Sequence, residues 1–344
     1  MCIDYYREFV RSGRYRVRSE TESSCFSALA DREVKSGEEV STSDIIPRPS
    51  LRRVYTSPAE LLTGEWPTPM LKISEGPREA YAKLDFFNPF SNSIKDRTAY
   101  YLLKSVGGSK VVEVSSGNFA LALGALGNIM GRGIKVYLPA SSDYIAPFLE
   151  YLGVEYHIVD VTSTIEALEL LEKDLREGMV HPNQFENDMN FIAHLRTAAE
   201  IDWQLSEIGR RPGYIIAAVG TSGHASALGF YFGTKYGARL IAVQPRDWIP
   251  GMRRVETGMK WIGMAGPEIV EVSLEEALDG VRSFARRFGL LIGPSAGAVY
   301  AAFLRRAESG VYVLIFPDGL FKYALLLKRM PHAARPRASG QQQG

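Results

Sequence analysis

Asn88-Pro-Phe-Ser-Asn-Ser-Ile-Lys-Asp-Arg97 sets one lysine, Lys95, in a polar loop that runs into the start of a helix. An apolar run of strand character, Tyr81 to Leu84, precedes it, and Thr98-Ala-Tyr-Tyr-Leu-Leu103 follows it. A lysine drawn into such a junction loses water around its charge, which is costly unless that charge is removed or paired. An aldehyde that bonds the amine removes it. Taken alone, Lys95 also reads as an ordinary solvated residue at a helix start, so the rest of the chain has to decide.

Outward from this loop the chain alternates strand and helix. Short β-branched runs occur at Lys110–Val114, Ile134–Leu138, Glu155–Val159, Tyr214–Val219, Leu240–Val243, Leu290–Ile292 and Val311–Phe316. Segments of helical period lie between them, at Phe119–Met130, Thr164–Leu175, Asn190–Leu205, Leu274–Phe288 and Gly297–Arg306. Strands apolar on both faces, alternating with helices, predict a parallel sheet covered by helices, an α/β fold. Residues 1–60 are polar and charged, with breakers at Pro47 and Pro49. They read as an N-terminal extension, with a short amphipathic helix over Tyr5–Val17, that packs on the body or on a second subunit; a partly disordered tail is the other reading. Residues 331–344 are rich in Arg, Pro, Ser, Gly and Gln and are expected to be disordered.

At 344 residues and 46% hydrophobic, the chain is long enough for two lobes with their own cores. A formal charge of +1, without basic residues clustered among aromatics, gives no argument for nucleic acid. No apolar run reaches membrane-spanning length, and Met1-Cys-Ile-Asp-Tyr-Tyr6 lacks the pattern of a signal peptide, so a cytoplasmic protein is expected. Cys2 and Cys25 are too few and too isolated for a disulfide framework or a zinc site, and no metal is expected.

Three more strand-to-helix junctions carry chemistry, in a fold class where ligands bind beyond the carboxyl ends of the strands. Glu113-Val-Ser-Ser-Gly-Asn-Phe119 crowds two hydroxyls, a glycine and an amide into a helix N-cap region, where plain capping is the bland reading. Val219-Gly-Thr-Ser-Gly-His224 offers glycines whose backbone N–H groups can wrap an anion, with hydroxyls from Thr221 and Ser222. It is neither a P-loop nor a dinucleotide fingerprint. Ile292-Gly-Pro-Ser-Ala-Gly-Ala298 places Ser295 just after an apolar run.

In this order, the four junctions resemble those of the cysteine synthase and tryptophan synthase β-subunit family, across about residues 61–325 from Trp66-Pro-Thr-Pro69 onward. The resemblance implies the tryptophan synthase β-like fold (fold type II of the pyridoxal phosphate enzymes), with the cofactor in a cleft between two parallel-sheet lobes. Residues 61–98 and 191–330 would form the larger lobe, and 99–190 a smaller, mobile one. Lys95 would bond the cofactor aldehyde, and Asn118 would meet its phenolic oxygen. Gly220, Thr221, Ser222, Gly223 and His224 would cup its phosphate, with Ser222 standing where the family has glycine and His224 where it has threonine. Ser295 would face the pyridine nitrogen. Ser115, Ser116, Gly117 and Gln184, with Phe185 beside them, would bind the substrate.

Gln244-Pro-Arg-Asp-Trp-Ile-Pro-Gly-Met-Arg-Arg-Val-Glu-Thr-Gly258, the downstream Pro317-Asp-Gly-Leu-Phe-Lys-Tyr323 and Phe119 resemble the archaeal O-phosphoserine sulfhydrylase branch. There an arginine of this loop recognises the substrate phosphate, a role that falls to Arg253, with Arg254 as the second candidate. The implied reaction makes L-cysteine from O-phosphoserine, or from O-acetylserine, and sulfide, in a homodimer without nucleic-acid or membrane partners. Lys95 would serve in turn as cofactor anchor, base and acid, while Asp96 and Arg97 fix the loop. Another β-replacement or β-elimination, cystathionine synthesis or serine/threonine deamination among them, remains an alternative. So does a catalytically silent relative that only binds the cofactor.

Overall fold

The computed structural model describes residues 2–46, 54–63, 68–115, 117–161 and 170–329. The tail at 331–344, Ser116, Trp66-Pro67 and the first half of the helix expected over Thr164–Leu175 lie outside the described residues; its second half is helical from Leu171.

The N-terminal extension folds onto the body. It comprises helix α1 (Ile3–Ser12), strand β1 (Arg14–Arg16), helix α2 (Glu20–Ala30) and strand β2 (Glu39–Ser41), with β1 and β2 antiparallel. Helix α1 stops short of the expected Val17 because Gly13 turns left-handed at φ 72° and returns its N–H to the Phe9 carbonyl. Phe26 is fully buried, with Tyr6 and Phe9 edge-on at 5.7 and 5.6 Å and Tyr15 stacked at 4.6 Å. The reading of the cysteines is corrected here: Cys2 and Cys25 form a disulfide. Their separation of 23 residues hides a short path in space, since packing brings the start of α1 against α2. In the chain-entropy picture a loop of that size stabilises the fold by about 3 kcal/mol.

The remaining elements, in chain order, are α3 (Glu60–Thr63), β3 (Met70–Ser74), β4 (Arg78–Leu84), α4 (Lys95–Ser105), β5 (Lys110–Val114), α5 (Asn118–Ile129) and β6 (Gly133–Pro139). Then come α6 (Ala146–Tyr151), β7 (Glu155–Val159), α7 (Leu171–Arg176), α8 (Met189–Glu207), β8 (Tyr214–Ala218), α9 (Gly223–Tyr236) and β9 (Arg239–Pro245). The last are β10 (Glu268–Val272), α10 (Leu274–Phe288), α11 (Pro294–Leu304), β11 (Gly310–Phe316) and α12 (Ala324–Arg329). One sheet runs β10-β9-β8-β11-β4-β3, parallel except for β3 against β4, and a second runs β5-β6-β7, all parallel.

Period-two alternation along the central strands divides the larger sheet's two cores. Ile215 and Ala217 of β8, with Val313 and Ile315 of β11, face α8, α9 and the extension. Ile216 and Ala218, with Tyr312, Leu314 and Phe316, face α10 and α11. Those last two helices touch backbone to backbone, since a Cβ on Gly280 would run into the Gly297 carbonyl. The expected strand Leu290–Ile292 is also corrected. Only Ile292 pairs, in an isolated bridge to Gly319, because Gly289 and Gly293 cap the flanking helices and leave three residues between them. Strand β10, Glu-Ile-Val-Glu-Val, was not expected; it is an edge strand whose half-exposed, alternating sequence carries a weak apolar signal.

A buried charge network locks β4, α4 and α8 together. Glu200 of α8 pairs with fully buried Lys83 of β4 and, at 2.8 Å, with Arg97 of α4. Lys83 also donates to the Thr68 carbonyl at 2.6 Å, and Glu200 accepts the Thr68 N–H at 2.9 Å. Burial by itself would raise the Glu200 pKa, but Arg97 and Lys83 outweigh it and hold the carboxyl down to about 2. A carboxyl depressed in the fold stabilises it above the ordinary carboxylate range, and that stability is lost as pH falls through the folded value. Glu200→Gln leaves two buried cations underpaired and should cost about 3–5 kcal/mol at neutral pH. Urea unfolding measures this; a loss below about 1 kcal/mol, the scale of an exposed pair, would contradict it.

Candidate active site

The Lys95 loop is shaped by its neighbour. The Asp96 carboxylate accepts the N–H of Phe90 at 2.7 Å, the N–H of Ser91 at 2.8 Å and the Ser91 hydroxyl, which folds the loop back onto the first turn of α4. Ile94 donates its N–H to the Pro317 carbonyl at 2.8 Å, tying the loop to the end of β11. Lys95 emerges from this corner into a cavity. Its Nζ donates to Gln184 Oε1 at 3.3 Å and lies 5.8 Å from the centre of the Phe119 ring. Burial brings its pKa down to about 8, against the pull of Glu113 in the other direction. Lys83 is spent on Glu200, and Lys104 sits at the surface beside Asp31.

The cavity measures about 220 Å³, room for a small organic molecule when a water occupies about 30 Å³. It gathers residues from all four sequence junctions: Lys95; Ser115, Gly117 and Asn118; Gly220, Thr221 and His224; and Ser295. Gln184, Phe185 and Arg253 line it as well. Ser116 lies outside the described residues. Ser222, Gly223 and Arg254 are not part of the lining.

At the start of α9 the backbone fits an anion. Ser222 caps the helix in the left-handed region at φ 70°, where a side chain is strained and glycine is not. A Cβ on Gly223 would press on the Asn190 amide at 2.5 Å, and one on Gly220 would meet the Gly251 carbonyl at 2.6 Å. Both glycines are therefore required for this turn to close. The first N–H groups of a helix have no partner within it. Around them the buried Ser222 Oγ, His224 Nε2 and Ser226 Oγ have no hydrogen-bond partner among the described residues. Burial, and then the charge of Lys95, push His224 down to about 3, so its imidazole is neutral. The backbone N–H groups and the two serine hydroxyls, free to donate at a helix N-terminus, suit a phosphate.

The other groups are held from behind. Ser115 Oγ accepts the N–H of Ala120 at 3.0 Å and of Gly117 at 3.4 Å, which is the capping role, and leaves its own O–H to donate. Asn118 donates to Asp318 Oδ2 at 2.7 Å and accepts from Lys322 Nζ at 2.6 Å. Ser295 rides on α11, placed by that helix's close contact with α10. A nucleophilic amine, an anion cup, an amide and a lone hydroxyl around one cavity together fit a phosphorylated aromatic aldehyde.

The two arginines separate. Arg254 pairs with Glu271 at 2.8 Å and Glu256 at 3.4 Å. Arg253 has no carboxylate within ion-pair distance among the described residues. It donates to Thr257 Oγ1 at 2.9 Å, and its guanidinium lies 5.0 Å from the Phe185 ring centre. Burial lowers its pKa. Sequence reasoning missed several other lining residues, Ser141, Ser142, Tyr144, Trp248 and Met252 among them, and the Asp318–Lys322 support behind Asn118. Ser142 and Tyr144 follow β6 in a stretch of ordinary loop composition that carries no signal of its own. Asp318 and Lys322 fall within the Pro317–Tyr323 run and could have been sought there.

Comparison with known proteins agrees with this geometry. Residues 61–318 match the family model for pyridoxal-phosphate dependent enzymes. A cysteine synthase of Helicobacter pylori strain J99 is 30% identical over 272 residues, covering 71% of this chain and 88% of that protein. One from Aquifex aeolicus is 26% identical, covering 71% and 82%. Among solved structures, O-ureido-L-serine synthase superposes with a TM-score of 0.69 at 22% identity, covering 84% of this chain and 98% of that one. The cysteine synthase of Entamoeba histolytica superposes at 0.65 with 23% identity, covering 82% and 93%. The fold is therefore fold type II, and this chain belongs to the pyridoxal-phosphate dependent enzymes, with pyridoxal phosphate as its cofactor.

Proposed function

We propose that this enzyme makes L-cysteine by β-replacement, with O-phospho-L-serine as the activated serine and sulfide as the nucleophile. Relatives named cysteine synthase support the reaction class. The observation that carries the substrate is Arg253, a half-buried cation on the cavity wall that has no acidic partner among the described residues. A desolvated guanidinium attracts a dianion, and its planar fork grips phosphate through two hydrogen bonds. The uncharged acetyl group of O-acetylserine gives it nothing comparable.

In this reading Lys95 holds the cofactor aldehyde, and Gly220, Thr221, Ser222, Gly223 and His224 hold the cofactor phosphate, chiefly through backbone N–H groups at the start of α9. Asn118 donates to the phenolic oxygen, and Ser295 offers its hydroxyl to the ring nitrogen. A neutral hydroxyl does not keep that nitrogen protonated as a carboxylate does, which suits loss and replacement of a β-substituent. The bound cofactor supplies an electron sink that loosens the Cα–H bond of the amino acid and then the bond from Cβ to the leaving group.

The N-terminus of α5, with the Ser115 hydroxyl, Gly117 and the Gln184 amide, takes the substrate carboxylate, with Phe185 walling that side. Lys95, once released, removes the Cα proton on Nζ; a pKa near 8 leaves an appreciable neutral fraction at physiological pH. Phosphate departs with the electrons of the Cβ–O bond, stabilised by Arg253. Sulfide adds at Cβ, and Lys95 returns its proton to Cα.

Arg253→Ala should lower kcat/KM for O-phosphoserine by about 10–150-fold, the equivalent of roughly 1.5–3 kcal/mol for a lost charge-assisted contact. Turnover of O-acetylserine should change little, and so should the absorption of the bound cofactor. Steady-state assays with both substrates decide the matter. Equal losses would mean that Arg253 supports the fold or the shared carboxylate, and an unchanged rate with O-phosphoserine would remove it as the substrate.

A further inference from the structure

Asn118 sits between two groups that cannot exchange roles. An ionised carboxylate only accepts hydrogen bonds, and an ammonium only donates them. Asp318 Oδ2, 2.7 Å from Asn118 Nδ2, and Lys322 Nζ, 2.6 Å from Asn118 Oδ1, therefore admit one orientation of the amide. One N–H of Nδ2 is committed to Asp318, on the oxygen that also takes the Tyr323 hydroxyl, and the second is the one available to a ligand in the cavity that Asn118 lines. The support is itself well anchored. Asp318 is buried and accepts the Tyr323 hydroxyl at 2.5 Å, with its Oδ1 seated against Gly293, where a Cβ would collide. Lys322 also donates to the Ser91 carbonyl at 2.6 Å and the Asn92 carbonyl at 3.2 Å, so it joins the Lys95 loop to the head of α5.

We infer that Lys322 and Asp318 are positioning residues that fix the Asn118 amide, and that Lys322 polarises its free N–H toward the phenolic oxygen of the cofactor. The inference rests on the reading of Asn118 as the residue that meets that oxygen. Lys322 pulls electron density toward the amide oxygen, which strengthens the N–H as a donor in a low-dielectric site. Charge on the phenolic oxygen is then favoured over its protonated form. Burial lowers the Lys322 pKa, while Asp318 and Asp96 act to keep the amine charged.

The test is the absorption spectrum of the cofactor-loaded protein at fixed pH, read as the ratio of its long-wavelength (ionised phenol) band to its short-wavelength (neutral) band. Lys322→Met should lower the ratio by about threefold or more, a change of at least roughly 0.7 kcal/mol in the balance of the two forms. Lys322→Arg should restore it. Lys322→Gln keeps a donor without the charge; it should fall between the two, and it serves as the readout if Lys322→Met does not fold. Asn118→Ala separates the levels of the argument. If it leaves the ratio unchanged, the reading of Asn118 falls and this inference with it. If Asn118→Ala shifts the ratio while Lys322→Met and Lys322→Gln do not, the inference alone is overturned.

Discussion

The three hydrogen bonds to the Asp96 carboxylate are the constraint on which the site depends. They close the chain from Phe90 to Ser91 against the first turn of α4, so the residue just before Asp96 has one direction in which to project. That residue is Lys95. Burial pushes the Asp96 pKa up to about 6, against the pull of the Ser91 hydroxyl and the Phe90 and Ser91 N–H groups. Ionisation is retained at neutral pH because those donors and Lys322 supply what water no longer does. Behind the loop, Arg97 and Glu200 anchor the same helix turn to β4 and α8. Adjacent residues thus divide the labour: Lys95 faces the cavity, while Asp96 and Arg97 face the protein.

The cavity's electrostatics follow from what is paired and what is not. Most buried charges here have partners: Glu200 with Lys83 and Arg97, Asp202 with Lys235, Asp174 with Lys135. Three groups at the cavity depart from this pattern. Among the described residues, Lys95 hydrogen-bonds an amide oxygen alone, Arg253 has hydroxyl and carbonyl oxygens, and the head of α9 carries the unpartnered Ser222 and Ser226 hydroxyls beside the first N–H groups of the helix. A protein does not leave such groups unpaired in its interior without cost. Their convergence marks a place that an anionic ligand completes, and the phosphate of pyridoxal phosphate is suited to the α9 end.

Much of this was legible in the chain because the information is local. Glycines and hydroxyls between a strand and a helix can wrap an anion, and the Lys95, Thr221 and Ser295 junctions, each ambiguous alone, became readable through their order along the chain and the family they resemble. What was not legible depends on long-range packing. Cys2 and Cys25 meet only because α1 and α2 share a core around Phe26, a contact without periodicity. Leu290–Ile292 has strand composition, yet two helix caps crowd it out of the sheet. Adjacent arginines at 253 and 254 look alike in sequence, and folding separates them: Arg254 meets Glu271 on β10 and Glu256, while Arg253 lines the cavity. Asn118 could be named from its motif, but Asp318 and Lys322, 200 and 204 residues further on, could not be paired with it.

Lys95 as the cofactor's anchor is the claim on which the rest stands. Borohydride reduction of the cofactor-loaded protein fixes the adduct, and peptide mass spectrometry then identifies the modified lysine. The account predicts the pyridoxyl phosphate mass on Lys95 and on no other residue. Adduct on Lys83, Lys104 or Lys322 instead, or stoichiometric cofactor with no lysine modified, would contradict it.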